Sequence, residues 1–249
     1  MSAGPYSPRL VQALARAQHV AVLTGAGISA ESGIPTFRDP QAGLWSRFRP
    51  EELATRDAFA RNPKLVWDWY EWRRGLIAHA APNAAHRALV RMAERVPRVT
   101  IITQNVDGLH TDAGSPEVIE LHGNIRRNKC FDPIEGQPHG ACQPGPNPPD
   151  CAVCGGKLRP DVVWFGESLP VEVLTQAEAA ARDCDLFFSI GTSALVYPAA
   201  GLPGAALKRS TMVVEINRES TALSAATPFS YRGAAGELLP KLLDLVWPP

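Results

Sequence analysis

The feature that most constrains this chain is a glycine-rich turn, residues 25–39, reading GAGISAESGIPTFRD directly behind an apolar run, HVAVLT at 19–24. The spacing Gly25-x-Gly27-x-x-Ala30 is that of a strand-to-helix turn that receives a pyrophosphate. Gly25 permits a tight exit from the strand, Gly27 lets a phosphate approach the backbone, and Ala30 lets the next helix lie close to the sheet. The open N–H groups at that helix start would point at the phosphates. Alone, such a segment is more often only a turn. Two further facts sharpen it. Pro35 stops the helix after barely two turns, and the next core-type strand, Val99 to Thr103, lies far downstream. A dehydrogenase closes its first βαβ unit within about 30 residues and places an acid about 20 residues past the glycines. Here the phosphate turn is kept and the short connection is replaced by a long excursion.

Further strand-like runs occupy 118–121, 185–190 and 211–216, with a short one near 229–231. Between them, apolar residues at helical spacing predict helices over 7–18, 62–79, 83–96, 171–184, 199–208 and 237–245. Ser7 and Asn62 are placed to cap, with Pro8 and Pro63 at the first helical positions. Another helix is expected to begin near Pro50. This alternation predicts an α/β fold, a Rossmann-like parallel sheet with helices on both faces. In the 62–79 helix, Leu65, Trp69, Trp72 and Leu76 form one apolar stripe. Val66, Tyr70, Arg73 and Ile77 form a second, about 100° round the helix. Tyr70 and Arg73 are therefore neighbours, and periodicity alone reads them as an exposed pair.

The stretch 127–160 differs from the rest. It is rich in proline and glycine and has no hydrophobic period, so it needs a staple. Four of the chain's five cysteines, Cys130, Cys142, Cys151 and Cys154, fall in it. Cys151-x-x-Cys154-Gly-Gly is a zinc half-site, and clustering in a chain with no leader-like opening favours a metal over disulfides. Pro133 stands where a second Cys-x-x-Cys pair would be completed, which leaves Cys142, or His139, as the fourth ligand. A site without metal is the alternative. Cys184 reads as an inert core thiol. The formal net charge is zero, which gives no electrostatic case for nucleic acid or an anionic membrane. The most apolar stretch, 186–207, is broken by glycines and prolines. A cytoplasmic protein, expected to be monomeric, follows.

GAGISAESGIPTFRD resembles the signature of the sirtuins, NAD-dependent protein-lysine deacylases. The likeness recurs at TQNVDGLH (103–110), ELHGN (120–124), RPDVVWFGE (159–167), GTS (191–193) and NRES (217–220), in family order. The resemblance implies an NAD site formed by Gly25, Ala26, Gly27, Glu31, Thr36, Phe37, Arg38, Gln104, Asn105, Asp107, Gly191, Thr192, Ser193, Asn217, Arg218, Glu219 and the backbone at Ala235. It implies that Asn105 and Asp107 shape the nicotinamide pocket and that Asn105 shares the catalytic work with His122, the general base. Val163 and Phe165 would flank a tunnel for the lysine stem, beside backbone that pairs with extended peptide. The segment WYEWRR resembles the helix of the subclass that removes acidic acyl groups, in which a Tyr-x-x-Arg pair lines the far end of the acyl pocket. That implies substrate roles for Tyr70 and Arg73, and succinyl-, malonyl- or glutaryl-lysine as preferred substrates. A guanidinium fork suits a carboxylate.

The implied organisation is a dinucleotide domain of residues 1–39, 80–126 and 161–249. A cofactor loop and helical insert occupy 40–79, and a zinc insert, one structural ion, occupies 127–160. The products would be lysine, nicotinamide and O-acyl-ADP-ribose. Mono-ADP-ribosyl transfer to protein, and NAD binding without catalysis, stand as the alternatives.

Overall fold

A computed structural model describes residues 6–35, 48–133 and 147–248. Helix α1 (Pro8–Arg16) leads into β1 (His19–Thr24), all six residues of which are buried. Ser7 caps α1, accepting from the Arg9 N–H, with Pro8 at its start. The glycine turn opens α2 (Ala26–Ser29), which tightens into a 3₁₀ turn and ends at Gly33, a left-handed residue two positions before Pro35. The excursion comprises α3 (Pro50–Leu53), α4 (Arg56–Arg61), α5 (Pro63–Ala78) and α6 (Ala84–Ala93) before β2 (Arg98–Thr103). Then come α7 (Leu109–Asp112), β3 (Val118–Glu120), β4 (Gly123–Cys130), β5 (Leu158–Val162), α8 (Val171–Asp183) and β6 (Leu186–Ile190). The chain finishes with α9 (Leu202–Lys208), β7 (Met212–Asn217), β8 (Phe229–Arg232) and α10 (Ala235–Val246). No helix among the described residues is long and apolar enough to cross a membrane.

The main sheet runs β3-β2-β1-β6-β7-β8, and every neighbouring pair is parallel. The chain builds outward from β1 in one direction, then restarts at β6 on its other side. The strand order therefore reverses between β1 and β6, and the carboxyl ends of those strands open the crevice where such sheets bind ligands. One face is packed by α1, α6 and α10 through Leu14, Leu89, Met92, Leu239 and Leu242. The other is packed by α8 and α9 through small residues, Ala177, Ala181 and Ala206, against Ala21, Leu23 and Phe187. Small side chains let those helices lie close to the strands.

The two glycine turns at the reversal interlock. Gly27 N–H donates to the Gly191 carbonyl at 2.8 Å. A Cβ on Gly27 would stand 2.8 Å from Gly191 Cα, and one on Gly191, whose φ is +61°, would stand 2.5 Å from the Ile28 nitrogen. The neighbouring turn therefore demands glycine at 27 on steric grounds of its own.

Strands β4 and β5 form a separate antiparallel pair. Neither reads as a strand in sequence, because β4 exposes Arg126 and Arg127 and lacks apolar alternation. The pair extends from Gly123 to Val162, somewhat beyond the proline-rich insert. Its register shifts between Asn124 and Asn128, and Arg74 of α5 fills the break, donating to the carbonyls of Ile125 (2.6 Å) and Arg127 (3.2 Å). Helix α5 covers this pair. Its second stripe is the better buried: Val66, Tyr70 and Ile77 are 0–3% exposed, whereas Leu76 of the first is 36% exposed. The expectation of an exposed Tyr70 is overturned, because Tyr70 packs in a cluster with Phe59, Trp69, Ile125, Val162 and Trp164.

Candidate active site

Four strand ends supply the floor of one cleft of about 940 Å³, bounded on its far side by α5 and the segment after β5. From β1 come Gly25, Ala26 and Gly27, and from β6 come Gly191, Thr192 and Ser193. From β2 come Gln104, Asn105 and Asp107, and from β7 Asn217, Arg218 and Glu219, with Ala235 at the start of α10. His122 follows β3. The helix that starts at Ala26 presents its amide end to the same space, an arrangement suited to phosphate.

Side chains tie these loops together. Gln104 Nε2 donates to Thr192 Oγ1 at 2.9 Å, and Asn217 Nδ2 donates to the Thr192 carbonyl at 2.8 Å. Asn105 Nδ2 donates to the Gly25 carbonyl (3.1 Å) and to Ser29 Oγ (3.0 Å), whose hydroxyl donates to Asp107 Oδ2 (2.8 Å). Leu109 N–H holds the other oxygen of that carboxylate at 2.9 Å. Burial raises the Asp107 pKa, opposed by these hydrogen bonds. The result is a fixed amide–hydroxyl–carboxylate wall, which suits a ligand with both donors and acceptors, such as a carboxamide.

His122 is oriented by its backbone neighbour. Its Nδ1 lies 2.9 Å from the Gln104 carbonyl, which can only accept, so Nδ1 carries the hydrogen and Nε2 keeps its lone pair. Burial lowers its pKa from the ordinary imidazole value, so the ring is neutral at neutral pH. A neutral imidazole with a bare nitrogen in a ligand cleft is a competent general base.

At the apolar end, Tyr70, Arg73 and Ile77 of α5 line the cleft with Val163 and Phe165. The Arg73 guanidinium stands over the Trp69 ring, 5.3 Å from its centroid. The segment 163–165 is strung between the two halves of the molecule: Val163 N–H donates to the His122 carbonyl and Phe165 N–H to the Ala54 carbonyl, each at 2.9 Å.

Among the residues expected at the cofactor, Glu31 stands elsewhere. The short helix turns it away from the phosphate face, and its carboxylate accepts from the Gly236 N–H at 3.1 Å, at the start of α10. Thr36, Phe37 and Arg38 lie outside the described residues, as do Cys142 and His139. Sequence reading passed over Ser29, although it lies inside the signature; its partner Asp107 is distant in sequence and next to it only once β1 and β2 pair.

Cys130, Cys151 and Cys154 come together, with sulfurs within 4.8 Å of one another. Cys130 and Cys154 are 3.5 Å apart. Tetrahedral zinc with bonds of about 2.3 Å separates thiolates by roughly 3.8 Å, whereas a disulfide needs about 2.05 Å. Val153 N–H points at Cys151 Sγ (3.4 Å), and Gly155 N–H closes the turn on the Cys151 carbonyl (2.9 Å). The sulfur-directed Val153 donor and the clustering of the three sulfurs fit a structural zinc ion, away from the cleft lining.

The Sir2 family model matches residues 25–198. An NAD-dependent protein deacylase of Aquifex aeolicus is 51% identical over 227 residues, spanning 91% of this chain and 94% of that protein. One from Methylococcus capsulatus is 48% identical over 248 residues, spanning 96% of each. Among solved structures, a Sir2 homologue–NAD complex is similar at TM-score 0.86 and 43% identity, covering 96% of this chain and 93% of that one. A Sir2 complex with a p53 peptide and NAD⁺ is similar at TM-score 0.82 and 29% identity, covering 95% and 97%. The interlocked glycine turns, the strand-end cleft and this match over most of the length lead to one conclusion: the chain belongs to the Sir2 family.

Proposed function

We propose that this enzyme is an NAD-dependent protein-lysine deacylase that prefers acidic acyl groups, succinyl, malonyl or glutaryl, over acetyl. The observation that carries the reading is a single cleft with a phosphate-type turn at one end and, at the other, the buried Tyr70 beside a half-buried Arg73. His122, its Nε2 unencumbered by the Gln104 contact, lines the same cleft. The relatives' names supply the reaction class, and the peptide complex of a similar structure supplies the kind of partner.

Held by Gly25, Gly27, Gln104, Thr192 and Asn217, NAD would supply the ADP-ribose that accepts the acyl group, with nicotinamide as leaving group and one water consumed as the lysine amine is released. The chain's own residues position and exclude water. The walls of the cleft hold the acyl-lysine carbonyl oxygen against the anomeric carbon, a task in which orientation alone is worth about 7 kcal/mol or more. Asn105, Ser29 and Asp107 fix the carboxamide. His122 Nε2 would accept the proton of the ribose hydroxyl to which the acyl group passes. Arg73 and the Tyr70 hydroxyl meet the acyl carboxylate, with charge-assisted donation from the guanidinium. Zinc held by Cys130, Cys151 and Cys154, with Cys142 as the fourth ligand, would be structural, cross-linking the β4–β5 corner beside Trp67.

A mass-spectrometric assay with NAD and peptides carrying succinyl-, malonyl-, glutaryl- or acetyl-lysine tests this. The expected products are lysine, nicotinamide and O-acyl-ADP-ribose. The expected preference for acidic chains falls about 10- to 100-fold in Arg73→Met, the worth of a hydrogen bond to charge. His122→Ala should abolish turnover while NAD still binds. An acetyl preference untouched by Arg73→Met would remove the acidic-acyl reading, and turnover by His122→Ala would remove the base.

A further inference from the structure

Behind the Tyr70–Arg73 pair lies a residue that touches neither the cofactor turn nor the general base. Trp164 is 2% exposed. Its indole Nε1–H donates to the Tyr70 hydroxyl at 2.8 Å. An indole nitrogen can only donate, so this contact occupies one hydroxyl lone pair and directs the hydroxyl's own hydrogen elsewhere. Among the described residues, none accepts that hydrogen. Tyr70 lines the cleft beside Arg73. Burial pushes the Tyr70 pKa up to about 12, so the hydroxyl keeps its proton at every working pH.

The indole is itself held on all sides. The Arg159 guanidinium lies over the ring, 3.3 Å from its centroid. Arg159 is 1% exposed and bonds Glu167 through two nitrogens, one at 2.8 Å. Glu167 in turn accepts the Trp164 backbone N–H at 2.9 Å, and its own N–H donates to the Trp164 carbonyl at 2.9 Å. Phe59 packs 5.5 Å from the ring. A ring fixed this firmly fixes its N–H direction too.

We infer that Trp164 is a specificity-determining positioning residue: by occupying the acceptor side of Tyr70 it makes that hydroxyl a dedicated donor toward the acyl chain. A dedicated donor rewards a carboxylate, which only accepts, and gives nothing to a methyl group. The Arg159–Glu167 pair extends this arrangement to the peptide side, because it anchors the same segment whose amides bridge His122 and Ala54. The inference rests on the acidic-acyl reading above and deepens it.

The test is a double-mutant cycle read as the ratio of catalytic efficiencies on succinyl- and acetyl-lysine versions of one peptide. Trp164→Phe keeps an aromatic ring and deletes the N–H. The expected result is a fall in the ratio of about fivefold to tenfold, the worth of roughly one neutral hydrogen bond, carried by the succinyl substrate. In a Tyr70→Phe background, Trp164→Phe should change the ratio less than twofold, because coupled residues are non-additive. A purely structural role for Trp164 would lower both substrates alike in both backgrounds, and that outcome overturns the inference while leaving the acyl preference standing. A wild-type enzyme with no succinyl preference overturns both. Should Trp164→Phe not fold, ¹⁵N-tryptophan spectra decide: the indole resonance that moves in Tyr70→Phe should respond, in the wild-type enzyme, to succinyl-lysine peptide and not to the acetyl one. Equal responses overturn the inference.

Discussion

The two lobes of this molecule bury polar groups by opposite means. In the sheet lobe the groups under β1 and β2 are hydroxyls and imidazoles that pair in part with one another, leaving His86 Nε2 and His110 Nδ1 without a partner among the described residues, while Glu215 on β7 is buried against Arg232 at 3.0 Å. Thr24 donates to Thr103 (2.9 Å), so the His110 Nε2 at 3.0 Å is the donor to Thr24. His86, 4.8 Å from His110 ring to ring, takes the Asn83 N–H on Nδ1 and completes the cap of α6. Around them the strands are apolar on both faces. In the smaller lobe the β4–β5 pair carries charge along its length, Arg127 meeting Glu120 at 2.8 Å and Asp161 at 3.0 Å. Its tip closes on three cysteine side chains that pack with Trp67. A lobe built on apolar strands supports itself, whereas the smaller one, apolar where α5 packs on it but charged along its strands and proline-rich at its tip, calls for a cross-link at that tip.

The sharpest way to break that contrast is to remove the cross-link. Cys151→Ser, or chelation of zinc from the wild-type protein, should expose the β4 and β5 amides to rapid hydrogen exchange and cost nearly all deacylation, with the β1 and β6 amides still protected. A folded, active, metal-free protein would show that the small lobe stands unaided. Acid should strike the other lobe. Burial lowers the pKa of His86 to about 4 and of His110 to about 3, against 6.5 unfolded. Both stay neutral in the fold while the unfolded chain takes up protons, so stability is full above pH 6.5 and falls as pH drops toward those values. By pH 5 the loss should approach ~2 kcal/mol per histidine, read on β1 and β2 amides so that metal loss elsewhere does not contribute. His86→Gln, which can keep the cap, should roughly halve the slope. The smallest effect belongs to the surface pairs. Arg127 is 53% exposed, and Arg127→Ala should cost less than about 1 kcal/mol in denaturant melts despite its two partners. A larger cost would mean that charge, and not metal, holds the small lobe.

What sequence could reveal followed from locality. The parallel strands announce themselves as apolar runs between helical stripes, and the signature blocks at 25–39, 103–110 and 120–124 place Asn105, Asp107 and His122 at strand ends. Tyr70 and Arg73 fall on one helix face by spacing alone. Hidden were the facts that depend on distant segments meeting. Strand β4 is polar, so its pairing with β5 and the Arg74 repair of its register shift leave no periodic trace. Gly27 abuts Gly191, 164 positions away, a second demand for glycine that the spacing does not carry. Glu31 sits in the signature but turns to α10. Trp164, between Val163 and Phe165, gains its meaning only when its N–H is seen to end on Tyr70, 94 positions away.

The tethering of residues 163–165 carries a thermodynamic consequence. Ordering a backbone residue costs about 1–2 kcal/mol, and here that cost is met at folding, since the Val163, Trp164 and Phe165 amides are each engaged within the chain. An arriving peptide finds a strip already rigid, with the Val163 carbonyl and Gly166 N–H, neither engaged by another backbone group among the described residues, as its points of attachment. Under the proposed function, weak, sequence-tolerant contacts would then suffice for capture, leaving the acyl group rather than the surrounding sequence to set the choice.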